Sequence, residues 1–309
     1  MVEKKFVSAV VYLHSDEKFA GEFFDKIISA IDEAFSQYEI VLVDDACEDG
    51  TLELLKKKIS ERGIKQMISV VHMGFYQGLE ASMNAGRDVS IGDFVFEFDT
   101  VNVDYEPSLI MDVYNRISEG FDIVAASSKG KKKFTSKLFY SLFNKTNRGK
   151  VNITSESFRI ISRRAINRVK SLGQFIPYRK AVYANCGLKT DRIFYTPTTN
   201  TRQTTSKSAR TGLALDSFIY FTNALEKLSA IISAVFLVFT LVMGVYILVD
   251  HFIEKNIVEG WTSMMIFMSV GFFGIFALLT IIMKYMSVLL NLEFRKQRYL
   301  VADIEKLGD

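Results

Sequence analysis

The chain has 309 residues, 49% of them hydrophobic, and a formal net charge of +3. That length allows one large domain or a domain with a smaller companion, and so small a charge argues against a nucleic-acid partner. Three histidines (His14, His72, His251) form no zinc-binding pattern, and Cys47 and Cys186 lie far apart without metal-like spacing. Both thiols are therefore expected to be reduced and ordinary.

Strand-like and helix-like runs alternate through the first 128 residues. The apolar run Phe6–Leu13 predicts a strand; it is too short for the core of a signal peptide, so the segment is expected to stay where it is made. Ala20–Phe35 predicts a helix with Phe23, Phe24, Ile27, Ile28 and Ile31 on one face. Strands follow at Tyr38–Asp45, Met67–Met73 and Asp93–Asp99, with helices at Thr51–Ser60 and Leu79–Arg87 between them. This order predicts an α/β fold with a mainly parallel sheet covered on both faces. Ligands of such sheets bind beyond the carboxyl ends of the strands, which singles out His14–Asp16, Asp44–Asp49 and Asp99–Asp104.

Lys129–Lys150 holds eight basic residues and no acidic one, with Phe134, Leu138 and Leu142 at helical spacing. It predicts a basic amphipathic segment on an anionic membrane surface. Thr196–Thr211, rich in Thr and Ser without periodicity, predicts a loop. Two charge-free runs follow, Ser229–Val249 (21 residues) and Trp261–Met283 (23 residues). Each is long enough to cross about 30 Å of hydrocarbon. The connector Asp250–Gly260 is acidic, whereas Lys207, Arg210 and Lys227 precede the first run and Lys284, Arg295, Lys296 and Arg298 follow the second. The positive-inside rule then puts both termini in the cytoplasm and the connector outside, in an inner or plasma membrane.

Ile40–Thr51, "IVLVDDACEDGT", resembles the "VDDGSxDGT" signature of family 2 glycosyltransferases with the GT-A fold. Asp44 and Asp45 hold its paired aspartates, Ala46 and Cys47 stand for its Gly-Ser, and Asp49, Gly50 and Thr51 complete it. His72–Gly86 resembles the helix entry that follows in that family. "GDFVFEFD" then aligns Asp99 with the first aspartate of the DxD motif. Ser157–Ile166, "SFRIISRRAI", resembles the block of the subgroup acting on polyprenyl phosphates, such as dolichol-phosphate mannose synthases and GtrB-like enzymes.

The resemblance implies an inverting transfer of a sugar from a nucleotide-diphospho-sugar to an undecaprenyl-type polyprenyl phosphate, supplying a lipid-linked sugar for cell-surface glycans. It implies nucleotide-sugar contacts at Leu13, His14, Asp16, Asp44, Asp45, Gln77 and Asp99. Asp99 and Arg159 become the catalytic pair, with Arg159, Arg202 and Lys207 on the lipid phosphate or pyrophosphate. A Mg2+ or Mn2+ ion is implied at Asp99, with Asn102 or Asp104 completing an altered site, because Val101 replaces the second DxD aspartate and Ile153 replaces another frequent carboxylate.

The implied organisation is a cytoplasmic GT-A domain (1–199), a juxtamembrane loop and helix (200–228), two spans (229–287, connector 250–260) and a cytoplasmic tail (288–309), with membrane lipids and a homo-oligomer as partners. The lost carboxylates leave open a second reading, a catalytically weakened relative serving as membrane scaffold or partner subunit. A processive polysaccharide synthase is disfavoured: the only tryptophan, Trp261, does not lie in a QxxRW motif.

Overall fold

The computed structural model describes residues 3–64, 66–129, 156–171, 178–198, 260–294 and 299–307, with scattered positions between 231 and 245. It divides into two compact units, residues 1–213 with 295–309, and residues 214–294. From residue 130 the basic segment lies outside the described residues, as do Ile153, Arg202 and Lys207.

The first unit is built on one eight-stranded sheet of order β7-β5-β6-β4-β1-β2-β3-β8. In chain order the strands are β1 (Val7–Leu13), β2 (Tyr38–Asp44), β3 (Met67–Met73), β4 (Phe94–Phe98), β5 (Ile123–Ser128), β6 (Phe158–Ser162), β7 (Thr190–Tyr195) and β8 (Val301–Leu307). The expected parallel core is present: β1 pairs in parallel with β2 and β4, and β2 with β3. The chain thus runs outward from β1 through β2 to β3, then returns to the other side of β1. That reversal opens a crevice between the carboxyl ends of β1 and β4. β6 inserts antiparallel between β4 and β5, and its register sets Arg159 beside Glu97.

Helices α1 (Glu17–Phe23) and α2 (Ser29–Ala34) are joined by a π-helical stretch, Phe24–Ile28. The wider turn brings Phe23, Phe24, Ile27, Ile28 and Ile31 all into the core, each at most 3% exposed. Helices α3 (Thr51–Arg62) and α4 (Leu79–Val89) follow the expected order, and α5 (Leu109–Ser118) adds a helix after β4 beyond those expected from the sequence. α4 lies close on the sheet at Gly86, where a Cβ would come within 2.4 Å of Val43 and 2.5 Å of Val10, so only glycine permits that approach. Two short helices, α6 (Arg163–Ser171) and α7 (Arg179–Asn185), complete the unit before β7.

The carboxyl-terminal residues are more than a tail. Val301–Leu307 pairs antiparallel with β3 as an edge strand. Its Asp303, Glu305 and Lys306 suit an edge, where charge discourages pairing with other chains.

The second unit contains α8 (Trp261–Phe294), 34 residues long. Phe239 stacks on Phe267 with ring centroids 6.0 Å apart, and Phe273, Phe276 and Met283 are largely exposed. Some α8 side chains lie outside the described set. Among the described residues, no helix is long and apolar enough to cross a membrane.

Candidate active site

Three strand ends and a buried charge cluster meet at the carboxyl side of the sheet. At the ends of β1, β2 and β3, Leu13, Asp44 and His72 are register partners. Asp44 accepts from the Cys47 backbone N–H at 2.9 Å and lies 2.9 Å from His72 Nδ1. Its side chain keeps 14% exposure, so it still faces the crevice. Asp45 is fully buried. Its carboxylate accepts from the backbone N–H groups of Gln77 and Gly78, each at 2.8 Å, and from the Tyr12 hydroxyl at 3.0 Å. The two aspartates therefore divide their work, Asp44 lining the crevice and Asp45 holding the loop after β3.

The remaining expected nucleotide contacts fall into two sets. His14 lies partly exposed, 4.4 Å from the Tyr76 ring, with Nδ1 2.8 Å from the Asp45 carbonyl. Asp16 is buried and accepts from the His14 N–H at 3.2 Å; burial raises its pKa. Leu13, by contrast, is a core residue with no exposure. The Gln77 side chain is committed to Leu300, donating to its carbonyl at 2.7 Å and accepting from its N–H at 2.8 Å. Gln77 thus ties the loop after β3 to the segment entering β8.

Local backbone chemistry explains two signature residues. Ala46 has φ 54°, the left-handed conformation in which glycine is unstrained, and it stands where the resembling signature carries glycine. Asp49 accepts from the Thr51 N–H at 3.1 Å, at the start of α3, and from the Glu17 N–H at 3.1 Å. Burial raises its pKa, but these bonds and the Thr51 hydroxyl outweigh it and lower the carboxyl below its usual range. Cys47 is pushed up to about 12, chiefly by burial, as expected of an unreactive thiol.

Asp99 follows β4 directly and stands at the centre of the charge cluster. One oxygen accepts from Arg159 Nη2 and the other from Arg179 Nη2, both at 2.7 Å, and Lys180 Nζ lies 3.7 Å away. Behind it, Glu97 is fully buried and accepts from Arg159 Nη1 at 2.7 Å, Arg179 Nη1 at 2.8 Å and the Tyr183 hydroxyl at 2.9 Å. Arg159 also reaches Glu156 at 3.1 Å, and Arg179 reaches Glu80 at 2.9 Å. Burial alone would raise the Asp99 pKa; the three neighbouring cations overcome it and hold the carboxyl well below the usual range. Arg159, expected as a phosphate contact, is 1% exposed at its side chain and commits its guanidinium to three carboxylates.

The sequence motifs do not reveal Glu97, Arg179 or Lys180 as site residues. A signal for Glu97 exists: one charge inside an apolar strand must find a buried partner.

The donor set suits ion pairing better than a divalent cation. Four carboxylates (Glu80, Glu97, Asp99, Glu156) face three cations (Arg159, Arg179, Lys180), and Arg87 stands behind them, hydrogen-bonded to Tyr183 at 2.9 Å. After Asp99 the loop turns apolar residues inward, Val101 at 1% and Val103 at 6% exposure. Asp104 is buried and accepts from the Tyr195 hydroxyl; the Asn102 backbone N–H donates to Thr100. Among the described residues, no group of three or more His, Cys, Asp or Glu side chains could hold a metal ion. A divalent ion at a diphosphate takes one or two carboxylate oxygens beside the phosphates, and both Asp99 oxygens are already held by guanidinium groups, so the described residues around Asp99 do not fit one.

Residues 8–174 match the family model described as glycosyl transferase family 2. The chain belongs to that family. This family 2 glycosyltransferase is 25% identical over 195 residues to an uncharacterized glycosyltransferase of Synechocystis, covering 61% of this chain and 60% of the relative. It therefore spans about three fifths of that relative's length. A prophage bactoprenol glucosyl transferase homolog of Escherichia coli is 25% identical over 279 residues, 87% of this chain and 88% of the relative. Among solved structures, a mannosyltransferase of Pyrobaculum calidifontis in complex with GDP-Man and Mn2+ superposes with a TM-score of 0.52 at 13% identity. That match covers 70% of this chain and 63% of the other and supports the GT-A α/β fold.

Proposed function

We propose that this glycosyltransferase moves a sugar from a nucleotide-diphospho-sugar to an undecaprenyl-type polyprenyl phosphate at the cytoplasmic membrane face, supplying a lipid-linked sugar for cell-surface glycans. The observation that carries this reading is the reach of the match to the bactoprenol glucosyl transferase homolog. At 87% of this chain, it extends well past the family match at 8–174 and takes in the first charge-free run and at least part of the second.

The chemistry follows from the acceptor. A lipid phosphate is already an anion near neutral pH, so its oxygen can attack the anomeric carbon without a dedicated general base. The bond from that carbon to the donor's β-phosphate oxygen breaks as the new one forms, and the nucleoside diphosphate leaves with the bonding electrons. The anomeric centre inverts. In this reading Asp44, His14 and Asp16 line the nucleoside end of the crevice, and Asp99 with Arg159 organises the reacting end. Catalysis then rests on fixed charge around a leaving group of growing negative charge.

The membrane part of the proposal rests on the sequence, where charge-free runs lie at 229–249 and 261–283, the second, at 23 residues, long enough to cross about 30 Å of hydrocarbon. We place one span there and the other at 229–249, with both termini cytoplasmic. Membranes carrying the full chain, given undecaprenyl phosphate and labelled nucleotide sugars, are expected to yield a labelled lipid in an organic extract. Absence of labelled lipid with every common donor refutes the reading.

A further inference from the structure

The ion-pair cluster around Asp99 bears on how the donor's diphosphate is held. A diphosphate brought to the end of β4 needs positive charge opposite it. Both Asp99 oxygens already accept from guanidinium groups at 2.7 Å. Val101 and Val103 turn into the core where further ligand oxygens would have to stand. The cations here are side chains, and they differ in availability. Arg159 and Arg179 are at most 1% exposed, each bridging Glu97, Asp99 and a third carboxylate. Lys180, on the first turn of α7, keeps 13% side-chain exposure and a single ion contact, to Asp99 at 3.7 Å. That separation is longer than a charge-assisted hydrogen bond, so its ammonium donors can turn to a phosphate.

We propose that Lys180 carries the positive charge facing the donor diphosphate, fixed in place by the Asp99–Arg159–Arg179 clamp, and that diphosphate binding by this chain therefore does not require a divalent cation. The proposal rests on the glycosyltransferase reading above and deepens it. Glu97 locks the two guanidinium groups from behind, and these hold Asp99 ionised as a counter-charge that keeps the ammonium at the crevice. Arg159 and Arg179 are positioning residues in this scheme, whereas Lys180 touches the ligand.

The test uses the full chain in detergent micelles, with UDP, GDP and inorganic pyrophosphate titrated calorimetrically in EDTA and in Mg2+ or Mn2+. At least one diphosphate is expected to bind in EDTA with an affinity within about threefold of that in Mg2+. Lys180→Ala is expected to weaken that binding by about tenfold or more, as befits a lost charge-assisted contact, and Lys180→Arg to restore most of it. Melting temperatures should not separate the variants, because the lysine has one long contact to lose. Binding that strictly requires Mg2+ or Mn2+, or that ignores Lys180→Ala, overturns the inference and leaves the transferase reading standing. A Lys180→Ala effect confined to inorganic monophosphate, used as a control, also overturns it. Failure of every nucleoside diphosphate to bind, with or without metal, overturns both.

Discussion

Glu97→Gln tests whether the buried cluster is the structural keystone of the site. The carboxylate accepts three hydrogen bonds, two from guanidinium groups and one from the Tyr183 hydroxyl, with no exposure to water. Glutamine keeps the volume but offers one acceptor oxygen, and its NH2 group must face a donor. Each hydrogen bond to a charged group contributes about 1.5–3 kcal/mol, and breaking a buried ion pair from one side costs about 3–5 kcal/mol. The latter is the better guide, because the guanidinium groups keep Asp99, Glu156 and Glu80. For a unit of this size, about 2–4 °C of melting temperature is lost per kcal/mol, so the sheet domain should melt about 6–20 °C lower. Differential scanning fluorimetry on the purified full chain gives the comparison. A double variant with Arg179→Met should melt higher than the sum of the single losses predicts, because each partner's removal relieves the other. A Glu97→Gln protein melting within about 2 °C of the parent would refute this account of the cluster.

Ala46→Gly should leave stability unchanged or raise it by up to about 1 kcal/mol, since relief of left-handed strain opposes glycine's greater chain entropy; a clear fall in urea midpoint would contradict this. Gln77→Leu removes both hydrogen bonds to Leu300 and should speed amide exchange across 299–307 while leaving β1 and β2 protected, as hydrogen-exchange mass spectrometry can read. Asp99 carries a lowered folded-state pKa because its neighbouring cations outweigh burial. Its contribution is thus full above the unfolded value of about 3.9 and is lost as pH falls below it. Melting curves from pH 6 to pH 3 should show a shallower acid loss for Asp99→Asn than for the parent, and parallel curves would sink that assignment.

The parallel core was legible because its signals are local. Apolar runs at β1 to β4, the helical periodicity between them and the carboxylates at the strand ends can all be read within a few residues. The Ala46 match was legible for the same reason, and its left-handed φ shows why the signature carries glycine there. What escaped depends on distance along the chain. Arg179 reaches Glu97 across 82 residues and Asp99 across 80, from a helix whose sequence, "RKAVYAN", reads as an ordinary basic segment. Asp44 and Asp45 look alike in sequence, and only the partners contributed by β3 and its following loop separate the residue that lines the crevice from the one that is buried. Even the single helix expected over Ala20–Phe35 hid a change of pitch at Phe24–Ile28, since five apolar residues on one face do not specify the turn that presents them.

The same dependence on distant residues explains why β8 matters to the site. His72 lies between Asp44 and Glu305, 2.9 Å and 3.3 Å from their oxygens, and Lys56 completes the group through Glu305. The Gln77 loop is fastened to Leu300, and the Tyr299 hydroxyl donates to Asp88 on α4 at 2.9 Å. Apart from the His72–Asp44 pair, each of these contacts joins β3, its following loop, α3 or α4 to residues more than 200 positions later in the chain. Those contacts cannot form until the whole intervening sequence, including α8, has been synthesised. Until then β3 is the sheet's open edge, facing no β8 partner, and the Gln77 side chain lacks Leu300, although its N–H can already meet Asp45. The loop after β3 therefore gains its last fastening only once residues 299–307 have been made.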